Sequence, residues 1–490
     1  MALSPALTLG VPPQIPPIKF GTDGWRGVIA ADFTFERLMQ VAPLAAQVLE
    51  QTYGKSTPGR RIVVGYDRRF LAEEFAQAAA TAVSAAGYEV LLADHYAPTP
   101  ALSWAVKQQG ALGALVITAS HNPGQYSGLK VKGAFGGSVP PAITQQIEAL
   151  LQHPAAPLTQ TGQLETFNPW PGYWEVLKQK VNLPAIQQAV ETGKLVVFVD
   201  TMHGATAGGL SQLLGDKIQE LHSDRDPLFG GGAPEPIARY LQSTCATLHQ
   251  FRQTHPDQLS VGLVFDGDGD RIAAVDGEGN FLSAQVLIPL LIDHLALHRG
   301  FRGEVIKSIS SSDLIPRVAA LHGLSVYETP IGFKYIADRM LESEQVFLGG
   351  EESGGIGYGN HIPERDGLLS GLYLLEAMIE TGVDLSVHYR SLQEKTGYTS
   401  FYDRIDLPLV SLDSKNQLES QLSTNPPQEI LGHKVVEQQS VDGYKFRLEN
   451  QSWLLIRFSG TEPLLRLYCE ASSPEQVQAT LDWAHRWATS

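Results

Sequence analysis

Cysteine is nearly absent from this chain: there are two in 490 residues, Cys245 and Cys469, far apart and in no CxxC spacing. That excludes a disulfide framework and a cysteine-built metal site, and makes a reducing cytoplasm the simplest compartment. Basic residues are also scarce, with 36 Lys and Arg against 52 Asp and Glu for a formal charge of −16. General binding to nucleic acid or to an anionic membrane needs a net basic surface, so neither is an expected partner. A small anionic substrate remains compatible if cations gather locally. Long apolar runs are missing too. The most apolar stretch, 283–297, contains Pro289, Asp293 and His294 and is too short to span a bilayer. The first twenty residues have no Lys or Arg before Lys19 and are interrupted by five prolines, so they read as an arm rather than a signal peptide.

What is present is an ordinary folded composition, 43% apolar and 18% charged, and enough length for about three or four domains. Short β-branched runs alternate with Ala- and Leu-rich helical stretches. RIVVGYD (61–67), a helix over 71–87, YEVLLAD (88–94), a helix from Pro100 and ALVITAS (114–120) form one strand–helix cycle with a largely parallel sheet. A second cycle runs from KLVVFVD (194–200), through a Gly- and Ala-rich helix start and a long polar helix, to VGLVFD (261–266). A third runs from RIAAVD (271–276) through EVIKSISSSD (304–313) to VFLGG (346–350). The last ninety residues instead pack strands closely before a helix from Pro474, an α+β pattern with an antiparallel sheet. The fold class is therefore α/β: three tandem α/β domains with mixed sheets, at 1–160, 170–275 and 276–390, plus a smaller α+β domain at 397–490. Expected linkers are 153–172, the turn at 276–280 and the segment 394–400.

Four loops carry candidate chemistry. TASHNPGQYSGLK (118–130) ends a strand with Ser120, at the carboxyl end of a parallel sheet where ligands bind. No activating elbow surrounds this serine, and a polar loop with Ser120 and Asn122 satisfying backbone groups reads equally well. DGDGDR (266–271) spaces Asp266, Asp268 and Asp270 so that alternate side chains of an extended segment converge on one cation, and oxygen ligands with open positions suit Mg²⁺. An EF-hand is rejected, since Arg271 stands where it needs Gly and Gly277 where it needs Glu. An aspartyl phosphatase with Asp266 as nucleophile and Asp268 as acid stays open, as does a plain Gly-Asp turn. GGEESGG (349–355) offers carboxylates and a serine to sugar hydroxyls, or is a solvated turn. RFSGTEPLLR (457–466) could form an anion nest from hydroxyls, backbone N–H groups and Arg457, though hairpins often look like this. GTDGWRG (21–27) is a further Gly-spaced loop around Arg26, and His203 reads as a loop histidine.

Together, TASHNP, DGDGDR, GEESGG and RxSGTEP in this order resemble the α-D-phosphohexomutases, from about Phe20 to the C-terminus. The resemblance implies four domains around one central cleft and a serine that carries a phosphoryl group as phosphoserine. It implies Mg²⁺ held by Asp266, Asp268 and Asp270 and bridging to Ser120, and a glucose 1,6-bisphosphate intermediate that also activates the enzyme. Lys130 and Arg26 match positions near the transferred phosphate, with Lys130 a candidate for proton transfer, and His121 supports the serine. Arg271 follows the metal loop. Glu351 and Ser353 would hold sugar hydroxyls with Lys334 and Arg365 nearby, and Arg457, Ser459, Gly460, Thr461 and Arg466 would bind the distal phosphate from a domain that closes as a lid.

GEESGG differs from the GEQSGH of phosphoglucosamine mutases and the GEMSGH of some dual-specificity phosphomannomutases, which favours glucose 1-phosphate and glucose 6-phosphate as the hexose phosphate substrates. Phosphomannomutase, dual-specificity and glucose-1,6-bisphosphate synthase activities are the alternatives, with a non-catalytic sugar-phosphate sensor beside them. Ser127 stands where many members place Asn, which removes an amide near the serine loop. The chain is expected to be a monomer or dimer.

Overall fold

The computed structural model describes residues 16–21, 23–152, 161–459 and 463–489. Three α/β units and a C-terminal α+β unit each carry one sheet. The first sheet runs Trp25–Val28, Tyr126–Gly133, Gly113–Ile117, Arg61–Tyr66, Glu89–Ala93, Leu164–Phe167; the last four strands are parallel and the first two antiparallel. The second runs Phe281–Leu282, Ile272–Val275, Leu259–Phe265, Leu195–Asp200, Gln219–Leu221, and the third Val326–Thr329, Glu304–Ser308, Val346–Gly350, Ile356–Tyr358.

One local plan repeats in all three units. A buried parallel strand (Gly113–Ile117, Leu259–Phe265, Val346–Gly350) runs to its carboxyl end, makes a loop, and returns as an antiparallel neighbour (Tyr126–Gly133, Ile272–Val275, Ile356–Tyr358). The serine loop, the aspartate loop and the GEESGG loop occupy these three equivalent turns. Functional loops thus sit where a parallel sheet exposes its carboxyl ends, held on both sides by strand pairing. The fourth unit has a six-stranded, fully antiparallel sheet, in which Trp453–Phe458 and Leu464–Ala471 form the hairpin carrying the RFSGTEP turn.

Several expectations are corrected. RIAAVD does not open the third unit: Ile272–Val275 is the return strand of the second sheet, and Phe281–Leu282 follows it there, so that sheet extends past 275 and the turn at 276–280 is a hairpin rather than a linker. Leu164–Phe167, inside the expected linker 153–172, pairs in parallel with Glu89–Ala93 as the edge of the first sheet. After Leu195–Asp200 the Gly- and Ala-rich segment makes turns and only the short helix Ser211–Leu214.

The apolar stretch at 283–297 becomes the helix Ala284–His298, buried on almost every side between its neighbours, as an all-round hydrophobic helix must be. Among the described residues no helix is long and apolar enough to cross a membrane. One continuous core joins the first three units from Ile18 to Tyr398, whereas the fourth unit has its own core around Phe446, Leu465 and Leu481. The two meet through a small cluster of Ile309 and Ile331 against Trp453, Leu455 and Tyr468. This thinner joint attaches the last unit.

Candidate active site

Ser120 is fully buried and sits in the left-handed region at φ 52°. A non-glycine residue there costs about 1–2 kcal/mol, so its surroundings must hold it. Arg69 does so. Its guanidinium donates to the carbonyls of Ser120 (2.5 Å), Asn122 (2.7 Å), Pro123 (3.0 Å) and Tyr126 (3.0 Å), and its Nε to Asp67 Oδ2 (3.1 Å). Thr118 Oγ1 donates to the same Asp67 oxygen at 2.7 Å and accepts from the Ser120 N–H at 2.8 Å. Asp67, Arg69 and Thr118 were not marked by the sequence reading, although all three lie at carboxyl ends of parallel strands, where the same rule that singled out Ser120 applies.

The Ser120 hydroxyl donates to Asp266 Oδ2 at 2.9 Å, and His121 Nδ1 lies 3.3 Å from Oγ. Burial, with Arg271 and Arg26 nearby, pushes the His121 imidazole well below its usual range, leaving it neutral at pH 7. The aspartates converge, with ligand oxygens within 4.8 Å of one another, and all three are fully buried. The segment is a turn rather than an extended strand: Gly269 N–H donates to the Asp266 carbonyl, and Gly269 has φ +70°. A Cβ at Gly267 would lie 2.4 Å from the Ser120 carbonyl oxygen, so this glycine allows the two loops to touch.

Lys130, on the return strand opposite Val116, reaches this cluster from below. Its Nζ lies 2.7 Å from Asp268, 2.8 Å from Asp270 and 2.8 Å from Asp23. Burial opposes its charge, but the three carboxylates outweigh that and raise its pKa. It is an ammonium in this arrangement. Burial likewise pushes Asp268 up, but Lys130 and hydrogen bonds from Lys130 and Thr99 bring it below the usual carboxylate range. At Asp266 burial and its two acidic neighbours outweigh Arg271 and Lys130 and raise it well above that range. Asp268 Oδ1 and Asp270 Oδ1 are buried without a hydrogen-bond partner. Two orphaned carboxylate oxygens in an all-oxygen cluster fit a hard divalent cation.

Asp23, also unmarked by the sequence reading, joins Lys130 to Arg365, whose NH2 lies 2.5 Å from Asp23 and 2.7 Å from Asp270. Lys132 pairs with Glu364 beneath them. Arg26 donates to Asn122 Oδ1 at 2.7 Å, above the serine loop. Ser127 Oγ, where an amide is missing, is buried without a partner.

The site opens into a cleft of about 1350 Å³ lined by all four units. Arg26, His121, Arg271, Lys334, Glu351, Ser353, Arg365, Arg457 and Arg466 line it, while Ser120, Lys130 and the aspartates are fully or almost fully buried behind it, in contact with His121, Arg271 and Arg365. Glu351 is raised by burial against the pull of Arg365. Its neighbour Glu352 also lines the cleft and accepts from Ser308 at 3.0 Å and Ser310 at 2.6 Å. Lys334 lies 4.8 Å from the centre of the Tyr335 ring. In the fourth unit Arg457 donates to Asp442 at 2.9 Å, and Arg466 faces it across the hairpin with Asp406 at 3.9 Å. Ser459 donates its N–H to the Leu464 carbonyl and accepts from Lys415 at its own carbonyl. Gly460 and Thr461 lie outside the described residues. Arg404, which the sequence reading also passed over, lines the cleft from the adjacent strand Phe401–Pro408.

The sequence matches the phosphoglucomutase/phosphomannomutase family in all four of its domains. The matches are alpha/beta/alpha domain I at 17–156, domain II at 171–279, domain III at 284–396 and the C-terminal domain at 417–482. A phosphoglucosamine mutase of Levilactobacillus brevis is 30% identical over 94% of this chain and 96% of its own length. A phosphoglucomutase/phosphomannomutase of Thermococcus kodakarensis is 27% identical over the same 94% of this chain and 96% of its own. Among solved structures, a protein of Thermus thermophilus assigned as a phosphomannomutase superposes with a TM-score of 0.83 at 35% identity, covering 97% of this chain and 100% of that one. Four domains matched in order, with near-complete coverage of such relatives, leave one conclusion: the chain belongs to the phosphoglucomutase/phosphomannomutase family and is a phosphohexomutase, an isomerase by class.

Proposed function

We propose that this phosphohexomutase interconverts glucose 1-phosphate and glucose 6-phosphate through phosphorylated Ser120 and glucose 1,6-bisphosphate, with Mg²⁺ as its metal. The observation that carries the reading is the buried cluster behind the cleft. A buried serine hydroxyl lies 2.9 Å from one of three clustered aspartates, two of which keep an unpaired buried oxygen. Asp266, Asp268 and Asp270 would hold the Mg²⁺, which when bound supplies charge stabilisation to a transferring phosphoryl group.

The chain's own residues do the rest. The P–O bond to Ser120 Oγ breaks as a new one forms to the free sugar hydroxyl, and the proton that hydroxyl gives up is balanced by the one Oγ takes as it becomes a free serine. The bisphosphate then turns round and returns its other phosphate to Oγ, with the proton passing back to the sugar oxygen. Arg26, Arg271 and the Lys130 ammonium stabilise the charge that builds on the equatorial oxygens. Glu351 and Ser353 accept and orient sugar hydroxyls, and Arg457 with Arg466 grips the distal phosphate. The glucose preference rests on the GEESGG loop, which departs from the GEQSGH of phosphoglucosamine mutases and the GEMSGH of some dual-specificity phosphomannomutases.

A second reading, action on glucosamine phosphates, is favoured by the relatives of that name at up to 30% identity. A product assay across glucose, mannose and glucosamine phosphates, with and without the 1,6-bisphosphate, separates these readings and shows whether bisphosphate accumulates. The core of the proposal is tested by Ser120→Ala, which should abolish isomerisation and phosphoprotein labelling. Retained turnover, or release of free phosphate, would point instead to an aspartyl phosphatase.

A further inference from the structure

Arg365 stands with the sugar ligands by its position near the GEESGG loop, but its surroundings are unlike those of a group waiting for substrate. It is 4% exposed and meets four carboxylates: Asp23 at 2.5 Å, Asp270 at 2.7 Å, Glu364 at 3.4 Å and Glu351 at 3.5 Å. These come from the N-terminal loop, the aspartate loop, its own loop and the sugar loop. The ring of Phe333 covers it, with its centre 5.4 Å from the guanidinium carbon. A planar fork of five donors can join several carboxylates at fixed angles, which a lysine cannot.

The space Arg365 occupies exists because residue 355 is glycine. A Cβ at Gly355 would lie 2.3 Å from Arg365 Cδ, 2.9 Å from its Cγ and 2.9 Å from Glu351 Oε1. Even one methyl group there must displace the arginine stem or the sugar-loop carboxylate. Gly355 also bridges to Arg271 across the return strands, so the loop cannot simply retreat.

We propose that Arg365 is a positioning residue that aligns Glu351 of the sugar loop with Asp270 of the aspartate loop, and that Gly355 is the glycine that makes room for it. The proposal rests on the reading of Glu351 as a sugar ligand and of the aspartates as the metal site. Arg365 then acts on the two sites with opposite signs. It brings Glu351 into register for the sugar, and it partly neutralises Asp270, which weakens that carboxylate's pull on a cation. Tying both to one guanidinium fixes the distance between the sugar and the reacting serine.

The test is Arg365→Met, with two readouts on the full-length protein. KM for glucose 1-phosphate should rise at least about tenfold with a smaller change in kcat, because ground-state and transition-state contacts of Glu351 are lost together. Mn²⁺ binding without sugar, measured by calorimetry, should tighten about threefold or more as Asp270 and Asp23 each lose one of their two cations, Lys130 remaining. A higher KM with unchanged Mn²⁺ affinity would make Arg365 a direct sugar ligand, and loss of both would make it merely structural; either overturns the proposal, as does an unchanged KM. Gly355→Ala keeps every charged group and should reproduce the rise in KM, providing the test if the arginine variant does not fold; wild-type kinetics in Gly355→Ala overturn the packing argument. Glu351→Gln checks the underlying reading separately. If KM does not move there, Glu351 is not a sugar ligand and the proposal falls with that reading rather than on its own terms.

Discussion

Removing Arg69 should separate the stability of the serine loop from its chemistry. Arg69→Met deletes hydrogen bonds to four backbone carbonyls and the ion pair with Asp67, all within a fully buried site. Breaking a buried pair by removing one partner costs about 3–5 kcal/mol. The true figure should fall at the lower end, because burial already pushes Asp67 up to about 6 despite Arg69. Without the arginine that carboxyl takes up a proton instead of remaining an unpaired charge. A cost near 3 kcal/mol leaves a domain of ordinary stability, roughly 5–15 kcal/mol, folded at low temperature.

Catalysis should suffer differently. The left-handed conformation of Ser120 stores about 1–2 kcal/mol that Arg69 holds in place. Once the guanidinium is gone the loop relaxes, and Oγ leaves its position beside Asp266 in most molecules. At about 1.4 kcal/mol per decade, that relaxation together with the lost carbonyl contacts predicts a roughly 10- to 100-fold fall in kcat. KM should change little, since Arg69 does not line the cleft. The assay is a coupled measurement of glucose 6-phosphate formation beside urea melts of the same samples. The double variant Asp67→Asn/Arg69→Met removes the unpaired carboxyl but leaves four carbonyls without a donor, so it should recover only part of the stability and none of the rate. Wild-type kcat in that double variant would refute the argument that the serine needs this brace.

Three further outcomes follow from the same geometry. Asp268→Asn removes the carboxylate that pairs with Lys130 and offers an unpaired oxygen, and should lower Mn²⁺ affinity and kcat together by more than the ~10–100-fold typical of residues that merely support a metal ligand; wild-type kinetics would sink the metal assignment. Arg457→Ala should raise KM for either hexose phosphate by about ten- to a hundredfold, the worth of one or two charged hydrogen bonds of ~1.5–3 kcal/mol, with kcat nearly preserved; an unchanged KM counts against the distal phosphate site. Lys445, fully buried where the third and fourth units meet, is pushed down from 10.5 to about 7 by burial and by Lys307. Between those values the unfolded chain binds the extra proton, so stability should rise with pH by up to about 1.4 kcal/mol per unit. Lys445→Met removes that slope, so its Tm advantage over wild type should be largest near pH 7 and shrink by pH 10; a constant difference would refute the shift.

The parts legible in the sequence were those whose chemistry is carried by the side chains themselves. Ser120, the three aspartates and Glu351 stand out because polar clusters with glycines at strand ends are costly unless used. The alternation of strands and helices likewise disclosed three α/β units and an antiparallel fourth. Partner choice was not legible. Ile272–Val275 has the composition of any buried strand, and only tertiary pairing places it in the second sheet. Arg69 escaped notice because its partners are backbone carbonyls, which leave no mark on composition. Asp23, Lys132 and Glu364 are widely separated in the chain and become a charge web only after folding brings the first and third units together. The helix Leu412–Thr424 is polar over most of its length, and Ser411 caps it by accepting from the Ser414 N–H, a short-range signal easily read as a loop.

A charge of −16 and an anionic substrate are reconciled by where the carboxylates stand. Nine Lys and Arg side chains line the cleft against six Asp and Glu, a local excess of cations on a chain whose remainder is acidic. The field of the exterior is screened beyond about 8 Å at physiological salt, so it scarcely opposes a substrate already inside the cleft. Within it, several cations lean on a carboxylate: Arg457 on Asp442, and Arg404 and Arg466 on Asp406. Such partners reduce the net pull on a phosphate, yet they also fix the guanidinium rotamers, so less side-chain entropy is lost when the phosphate arrives. On the proposed route the enzyme must hold a bisphosphate firmly enough to keep it and loosely enough to let it turn. Arginines that exchange a carboxylate for a phosphate, rather than gaining a charge partner outright, give a smaller free-energy change on each release and recapture. The acidic residues of the cleft therefore moderate the grip on the intermediate instead of opposing it.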